Sequence, residues 1–321
     1  MRGPMTTFGY TLMCEQRDPL SLISDAVAAE QAGFEFSVIS DHFHPWLETQ
    51  GQSAFAWTVL GALAERTERM DLLTMVTCPI VRYHPAIIAQ AAATMAVMSG
   101  GRFSLGLGAG ERLNEHVVGR GWPSATIRHE MLIEAVDIIR LLWSGGFHTY
   151  QGKHLTLEDA RLFTLPDQAP KLWLAAGGEE ASRLAAEKAD GIIATDPLPG
   201  LVSAYTAAGG TGPKWGQVMF SWADDEDTAK KTAYDYLRFG VQGWKVMAEL
   251  PSPVNFEAAT EKVRPEDICE TVACGPDPEV GVAAIKKFVD AGFTHLAVMQ
   301  AGPDQAGFMR FWTEELARRL Q

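Results

Sequence analysis

Two short runs hold most of the residues able to move protons near neutral pH. The first is Ser40-Asp41-His42-Phe43-His44-Pro45-Trp46. An imidazole titrates close to neutrality, so His42 is a candidate proton donor or acceptor. Asp41 is placed to orient it or to meet a cofactor hydroxyl, and Trp46 offers a flat face to a ring system. The second run is Leu105-Gly106-Leu107-Gly108-Ala109-Gly110-Glu111-Arg112-Leu113-Asn114. Spaced glycines let a flat ligand approach the backbone. A carboxylate at Glu111, once shielded from water, keeps its proton to higher pH and can act as acid or base. Each run also has a plainer reading. The first could be a turn whose polar groups cap a strand end, and the second a surface ion pair of Glu111 with Arg112 or Arg120.

Weaker signals sit elsewhere. Gly177 and Gly178, in Ala175-Ala176-Gly177-Gly178, could offer backbone N–H groups to a phosphate where a helix begins. Tight strand-to-helix packing explains them equally well. Arg82 and His84 could answer an anionic cofactor tail, although a salt-bridged loop is the simpler account. His42-x-His44 has the look of a metal pair, but a barrel hydrolase needs further ligands at later strand ends, and of the remaining histidines only His295 falls within an expected strand, at its start. Gly106, Gly108 and Gly110 match only the start of a dinucleotide fingerprint, because no helix opens at once after them. Trp57, Trp143 and Trp312 fall on helical faces and read as core.

Strands and helices alternate along the chain to position these runs. Buried parallel strands are expected at Phe8–Leu12, Phe36–Ser40, Asp71–Thr77, Phe103–Gly108, Leu172–Ala176, Gly191–Thr195, Val218–Trp222 and His295–Gln300. Helices are expected at Pro19–Ala32, Phe55–Thr67, Pro85–Met98, Ala125–Trp143, Glu180–Lys188, Leu201–Ala207, Asp225–Glu249, Pro278–Ala291 and Gln305–Leu320. A helix after each of eight strands predicts one (β/α)8 TIM-barrel domain over residues 1–321, with a doubly wound open sheet as runner-up. The long connections are Asp41–Ala54, Ala109–Arg128 and Leu250–Pro265. The first two follow strands and carry both reactive runs to the C-terminal rim, where barrel chemistry sits. His295 begins its strand and so belongs to the opposite end.

Composition narrows the class. The 321 residues are 47% hydrophobic and carry a net charge of −13, which argues against nucleic-acid or anionic-membrane binding. No apolar stretch reaches the ~18 residues of a membrane span. The leading Met1-Arg2-Gly3-Pro4-Met5-Thr6-Thr7 lacks a secretory apolar core, so a cytoplasmic protein is expected. The four cysteines, Cys14, Cys78, Cys269 and Cys274, form no Cys-x-x-Cys pair; the spacing of Cys269 and Cys274 could suggest a metal clip, but no histidine sits near them in sequence, so all four read as free thiols in a reducing compartment.

Taken together, the segments resemble the deazaflavin-dependent branch of the luciferase-like oxidoreductases, within it the glucose-6-phosphate dehydrogenase group. The marks are Cys14-Glu15-Gln16, the Asp41–Trp46 run, Arg82-Tyr83-His84-Pro85-Ala86, Gly110-Glu111-Arg112-Leu113-Asn114-Glu115, Leu141-Leu142-Trp143-Ser144-Gly145, Ala175–Gly178 and Cys274-Gly275-Pro276-Asp277-Pro278. The resemblance implies a luciferase-like barrel with insertions in its βα loops, a homodimer, a small-molecule substrate and the coenzyme F420 in the C-terminal mouth. It implies His42 and Glu111 as the acid–base pair, with Trp46 beside the reacting centre. It implies cofactor contacts at Asp41, Val76, Ala109, Gly110, Asn114, Gly177, Gly178 and Ala181, with Cys78 and Ala109 standing where the group has threonines. An unusual peptide at Met75-Val76 against the deazaflavin ring is also implied. Thr195 and Leu198 fall at substrate positions, and Glu15, at the end of the first strand, could contact the substrate or tune His42.

One departure bears on the substrate. The sugar-phosphate enzymes grip phosphate with lysine and arginine. Here Leu198 and Ala258 stand where lysines are expected, and no arginine follows Cys269-Glu270-Thr271. Each lost charge-assisted contact costs about 1.5–3 kcal/mol. Lys262 and Arg264 keep a shifted phosphate site open, but Met247, Leu250, Val254 and Phe256 favour a neutral or apolar alcohol. Remaining alternatives are a flavin mononucleotide monooxygenase of the same superfamily, a metal-dependent hydrolase and a non-catalytic cofactor binder.

Overall fold

In a computed structural model, which describes residues 6–320, the strands in chain order are β1 (Thr7–Leu12), β2 (Phe36–Ile39), β3 (Asp71–Thr74), β4 (Phe103–Leu107), β5 (His148–Gln151), β6 (Thr156–Ala160), β7 (Leu172–Ala175), β8 (Gly191–Ala194), β9 (Lys214–Ser221), β10 (Ala273–Cys274) and β11 (His295–Gln300). Parallel pairing runs β9-β11-β1-β2-β3-β4-β7-β8, and β8 pairs back onto β9. That last pairing closes the ring, so the protein is a (β/α)8 barrel and not the open sheet. The expectation for residues 1–5 lies outside the described residues.

The strands read as unbroken apolar runs because both faces are covered. β2 and β8 are buried at every position. Phe36, Val38, Leu73, Trp173, Ile193, Trp215 and Ala297 form one cluster contributed by strands around the ring. A larger cluster joins strands to helices, from Leu22 and Ala26 through Ile138 and Ile139 to Phe308 and Leu316. A third, built on Trp46, Leu113, Phe239, Met247, Phe256 and Met299, draws on the loops that follow β2, β4 and β9. No helix among the described residues is long and apolar enough to cross a membrane.

Several features depart from expectation, among them a helix at Pro253–Ala259 inside the stretch read as the connection Leu250–Pro265. The connection after Trp143 contains the antiparallel hairpin β5–β6, whose sides are largely exposed, so it left no apolar run to read. The helix expected over Asp225–Glu249 stops at Leu237. A 3-10 turn (Arg238–Gln242) and Gly243 at φ 70° follow, and then a short helix, Trp244–Met247. Gly243 adopts a backbone conformation that side chains with a Cβ resist, which breaks the helix there. Finally, Cys269 and Cys274 are bonded to each other and are not free thiols. The chain turns back after the helix Pro265–Ile268 and brings their Cα atoms to 5.8 Å. Cys14 and Cys78 are free and buried.

Candidate active site

The site starts from strand register. Leu12 of β1 pairs with Ile39 of β2, so the chain leaves both strands at the same level. Glu15 and His42 each follow three residues later and meet at the rim. His42 Nδ1 lies 2.5 Å from Glu15 Oε1. The contact is off the line of a good hydrogen bond, and neither atom has an aligned partner. It therefore acts mainly through charge. The other carboxylate oxygen of Glu15 accepts from Ser40 Oγ at 2.7 Å, and Ser40 in turn accepts from the Cys14 N–H. Glu15 is buried behind the imidazole, so it is placed to tune His42 more than to touch substrate.

On the far side of the ring, His42 Nε2 lies 3.6 Å from Glu111 Oε1. That oxygen accepts from Asn114 Nδ2 at 2.5 Å, and Asn114 Oδ1 accepts from the Phe43 and His44 N–H groups at 2.7 and 2.9 Å. Asn114 thus ties the carboxylate loop to the imidazole loop. Glu111 pairs with neither Arg112 nor Arg120 among the described contacts; the surface-pair reading fails. Burial alone would lower the His42 pKa, but the Glu15 charge and contact, joined by Glu111, outweigh it and hold it above its ordinary value. Burial pushes Glu15 up, and His42 and Ser40 pull it below the usual carboxylate range.

Trp46 closes one wall. Its ring meets His42 edge to face at 4.8 Å and stacks on Phe239 at 4.8 Å with an angle of 6° between the planes. Phe256 closes it from another side. Gln50 holds the backbone there by accepting from the Trp46 N–H at 2.8 Å and donating to the Tyr236 carbonyl.

Asp41 is buried with both oxygens engaged. Thr77 Oγ1 and Trp57 Nε1 donate to one, and Arg82 and Tyr83 donate to the other. Trp57 therefore serves this network as well as the core. Arg82 also faces Glu115, which burial pushes up to about 7 against the pull of Arg82. The salt-bridged reading of Arg82 holds, and His84 caps the helix Pro85–Met98.

Adjacent strands β4 and β7 pair Leu107 with Leu174, which places Gly108–Glu111 beside Ala175–Gly178 at the rim. The Met75–Val76 peptide is cis, and Gly110 has φ 71°. A Cβ on Gly108 would press on Val76, and one on Gly110 would collide with the Cys78 sulfur, so this wall admits no side chain. The N–H groups of Ala109, Gly110 and Glu111 donate to no described residue, and neither do those of Gly177 and Gly178. Gly178 caps the helix Glu179–Lys188, with Ala181 in its first turn. Two neighbouring rows of free backbone donors, one at a helix N-terminus, suit a flat polar ring with an anionic tail. Thr195 and Leu198 stand exposed after β8. Ser40 and Glu115 lie inside the runs singled out from the sequence but were assigned no role there, and nothing marked Gln50 or Phe239 as supporting the site. The parallel register of β1 and β2 is what brings Glu15 to His42, the pairing that its place at the end of the first strand allowed.

Comparison with known proteins finds relatives along nearly the whole chain. The family model described as "Luciferase-like monooxygenase" matches residues 9–295. An F420-dependent glucose-6-phosphate dehydrogenase of Microbacterium testaceum is 36% identical over 327 residues, covering 98% of this chain and 97% of that protein. An F420-dependent hydroxymycolic acid dehydrogenase of Mycobacterium tuberculosis is 36% identical over 293 residues, covering 88% and 80%. Among solved structures, an F420-dependent secondary alcohol dehydrogenase in complex with an F420-acetone adduct superposes with a TM-score of 0.89 at 30% identity, covering 97% and 98%. The chain belongs to the luciferase-like family, in its group of F420-dependent oxidoreductases related to the glucose-6-phosphate dehydrogenases.

Proposed function

We propose that the protein uses coenzyme F420 to interconvert a neutral, largely apolar alcohol and its carbonyl compound. The observation that carries this reading is the convergence of Glu15, His42 and Glu111 beside the Trp46 wall. When bound, F420 would supply the hydride-accepting ring. Its ring would lie along Val76, Cys78 and Ala109–Glu111, and its anionic tail would meet Gly177, Gly178 and the first turn at Ala181.

The protein's own part is proton management and shape. Neutral His42 takes the alcohol proton as hydride leaves, and its imidazolium returns that proton in the reverse direction. Glu15 stabilises the imidazolium through its charge. Glu111, held by Asn114, serves the proton at the cofactor side. Trp46, Phe239 and Phe256 keep water from the reacting centre.

Substrate preference follows from what the rim lacks. Leu198 and Ala258 occupy the positions expected to hold lysines, and Arg264 is committed to Asp267 through two guanidinium contacts. That leaves Lys262 alone for a shifted phosphate site. A homodimer in the cytoplasm and a single domain accompany this reading. The test is titration with oxidised F420, followed by a panel of aliphatic alcohols and sugar 6-phosphates read as loss of cofactor absorbance. Turnover of apolar secondary or primary alcohols in preference to glucose 6-phosphate is expected. Faster turnover of the sugar phosphate would reverse the substrate assignment, and binding of flavin mononucleotide without F420 would reverse the cofactor.

A further inference from the structure

The segment after the helix that follows β9 is broken at Gly243 and crosses the rim in two halves. Its first half is tied to the helix Pro253–Ala259, since Arg238 pairs with Glu257 and Gln242 Nε2 donates to the Ala259 carbonyl at 2.9 Å. Its second half, residues 244–250, lies along the site. A Cβ on Gly177 would lie 3.5 Å from the Trp244 ring, and Met247 is buried in the cluster that holds Trp46 and Leu113. Among the described hydrogen bonds, two links tie this half to the rest of the chain. The first is backbone, and it reaches the Glu111 loop. The short helix Arg112–Glu115 begins at Glu111, whose side chain does not cap it. Four residues are too few to hold a helix N-terminus in place unaided. The peptide between Glu111 and Arg112 is instead pinned from both sides. Its carbonyl accepts from the Asn114 and Glu115 N–H groups at 3.2 and 3.3 Å, and its N–H donates to the Ala248 carbonyl at 3.0 Å.

The second link is ionic and sits one residue further on. Arg128 donates to one oxygen of Glu249 through both terminal nitrogens at 3.1 Å. Its side chain is 6% exposed, and a guanidinium so buried is costly unless it is paired. Glu249 is its one carboxylate partner among the described residues. The Pro123 carbonyl, 2.7 Å from Nη1, and the face of Trp122, 4.1 Å from Cζ, fill the rest of its surroundings. We infer that Arg128 is a positioning residue for Glu111: by gripping Glu249 it fixes the adjoining Ala248 carbonyl, and that carbonyl fixes the peptide from which the Glu111 carboxylate projects. This rests on the proton role given to Glu111 above. Asn114 aims the carboxylate from its own side chain outward; Arg128 holds the backbone beneath it from a helix twelve residues beyond the loop.

The test is a mutant cycle read by steady-state kinetics on an alcohol that wild type oxidises. Arg128→Met keeps much of the side chain's bulk and removes the guanidinium. Glu249→Ala removes the half-exposed partner, so the cycle stands on that variant even where Arg128→Met does not fold. Each is expected to lower kcat about tenfold or more, with a smaller change in KM. Arg128→Lys keeps the charge without the fork and should recover part of the loss. In a Glu111→Gln background the same substitutions should lower kcat about twofold or less, because the group they position is already gone. Wild-type kcat in Glu249→Ala, or in a folded Arg128→Met, overturns the assignment. So does an undiminished loss in the Glu111→Gln background, which would mark a general loosening of the rim. Full turnover by Glu111→Gln itself would instead remove the proton role of Glu111, and the inference with it.

Discussion

The barrel opens at both ends, and each end holds a histidine. At the N-terminal end a cavity of about 770 Å³ is lined by Phe36, Trp173, Trp215 and His295 among others. There His295 packs on Trp215 at 4.4 Å between centroids, its Nδ1 meets Thr294 Oγ1, and burial alone lowers its pKa. At the C-terminal end His42 is also buried, yet its pKa moves upward because Glu15 and Glu111 flank it. The same residue type in the same fold is driven in opposite directions. Flanking carboxylates make an imidazole a proton carrier; an adjoining cavity does not. Glu30, Glu35 and Asp71 also line the N-terminal cavity, but none acts on His295, whereas the C-terminal loops set two carboxylates directly against His42.

The sharpest way to break this contrast is to remove each imidazole. His42→Ala is expected to lower turnover by about 10²–10⁴, the usual contribution of a general acid–base group. Glu111→Gln should fall in the same range, and both should bind F420 as wild type does. His295→Ala should leave turnover unchanged. Steady-state kinetics on an alcohol accepted by wild type decides the matter, and comparable losses at His42 and His295 would erase the distinction between the two ends.

A second test sharpens the cause of the contrast. His42 has its folded pKa raised above 6.5, so alcohol oxidation, which needs the neutral ring, should rise as pH climbs through that raised value. Carbonyl reduction needs the imidazolium and should fall across the same window. Glu15→Gln removes the main influence raising that pKa, so both limbs should move to lower pH. Profiles of kcat/KM in the two directions read this directly. Unmoved limbs in the variant would mean that Glu15 does not tune His42.

A smaller effect is expected at Asn114, which touches no reacting atom in this reading and acts as a positioning residue. Asn114→Ala removes the donor to Glu111 and the acceptor for two backbone N–H groups. At about 0.5–1.5 kcal/mol for each hydrogen bond, a loss of roughly tenfold or more in kcat is expected, with a smaller change in KM. Asn114→Asp keeps the acceptor for the loop but places a second negative charge against Glu111, so it should not restore the rate.

The eight barrel strands were legible because burial on both faces writes them as continuous apolar runs, and His42 and Glu111 were legible because each follows such a run in a long loop. What escaped lay in relations between distant segments. That Glu15 could tune His42 was legible from its place at the end of the first strand; the shared register of Leu12 and Ile39 that brings them together was not. Trp57 read as core, and its indole serves Asp41 as well. The helix break at Gly243 was hidden by the helical pattern continuing on either side of it, so Phe239 and Trp244 were not read as rim residues. The Cys269–Cys274 bond was missed because its spacing fits no familiar pair, and only the reversal between Ile268 and Ala273 brings the sulfurs together.

The smallest effect concerns the N-terminal histidine itself. His295 contributes packing, so its removal should cost about 1–3 kcal/mol of stability, a shift of several degrees in Tm. Its pKa is depressed in the folded state, which means the neutral ring is favoured by folding and acidification opposes it. The stability it contributes is present above the ordinary imidazole range and is lost as pH falls through that range toward the folded value. The Tm gap between wild type and His295→Ala should therefore be widest near pH 8 and narrow by pH 5. A gap that stayed constant with pH would show that His295 titrates alike folded and unfolded. The N-terminal end would then differ from the C-terminal end only in setting no carboxylate against its histidine, with burial contributing nothing to the divergence of the two histidines.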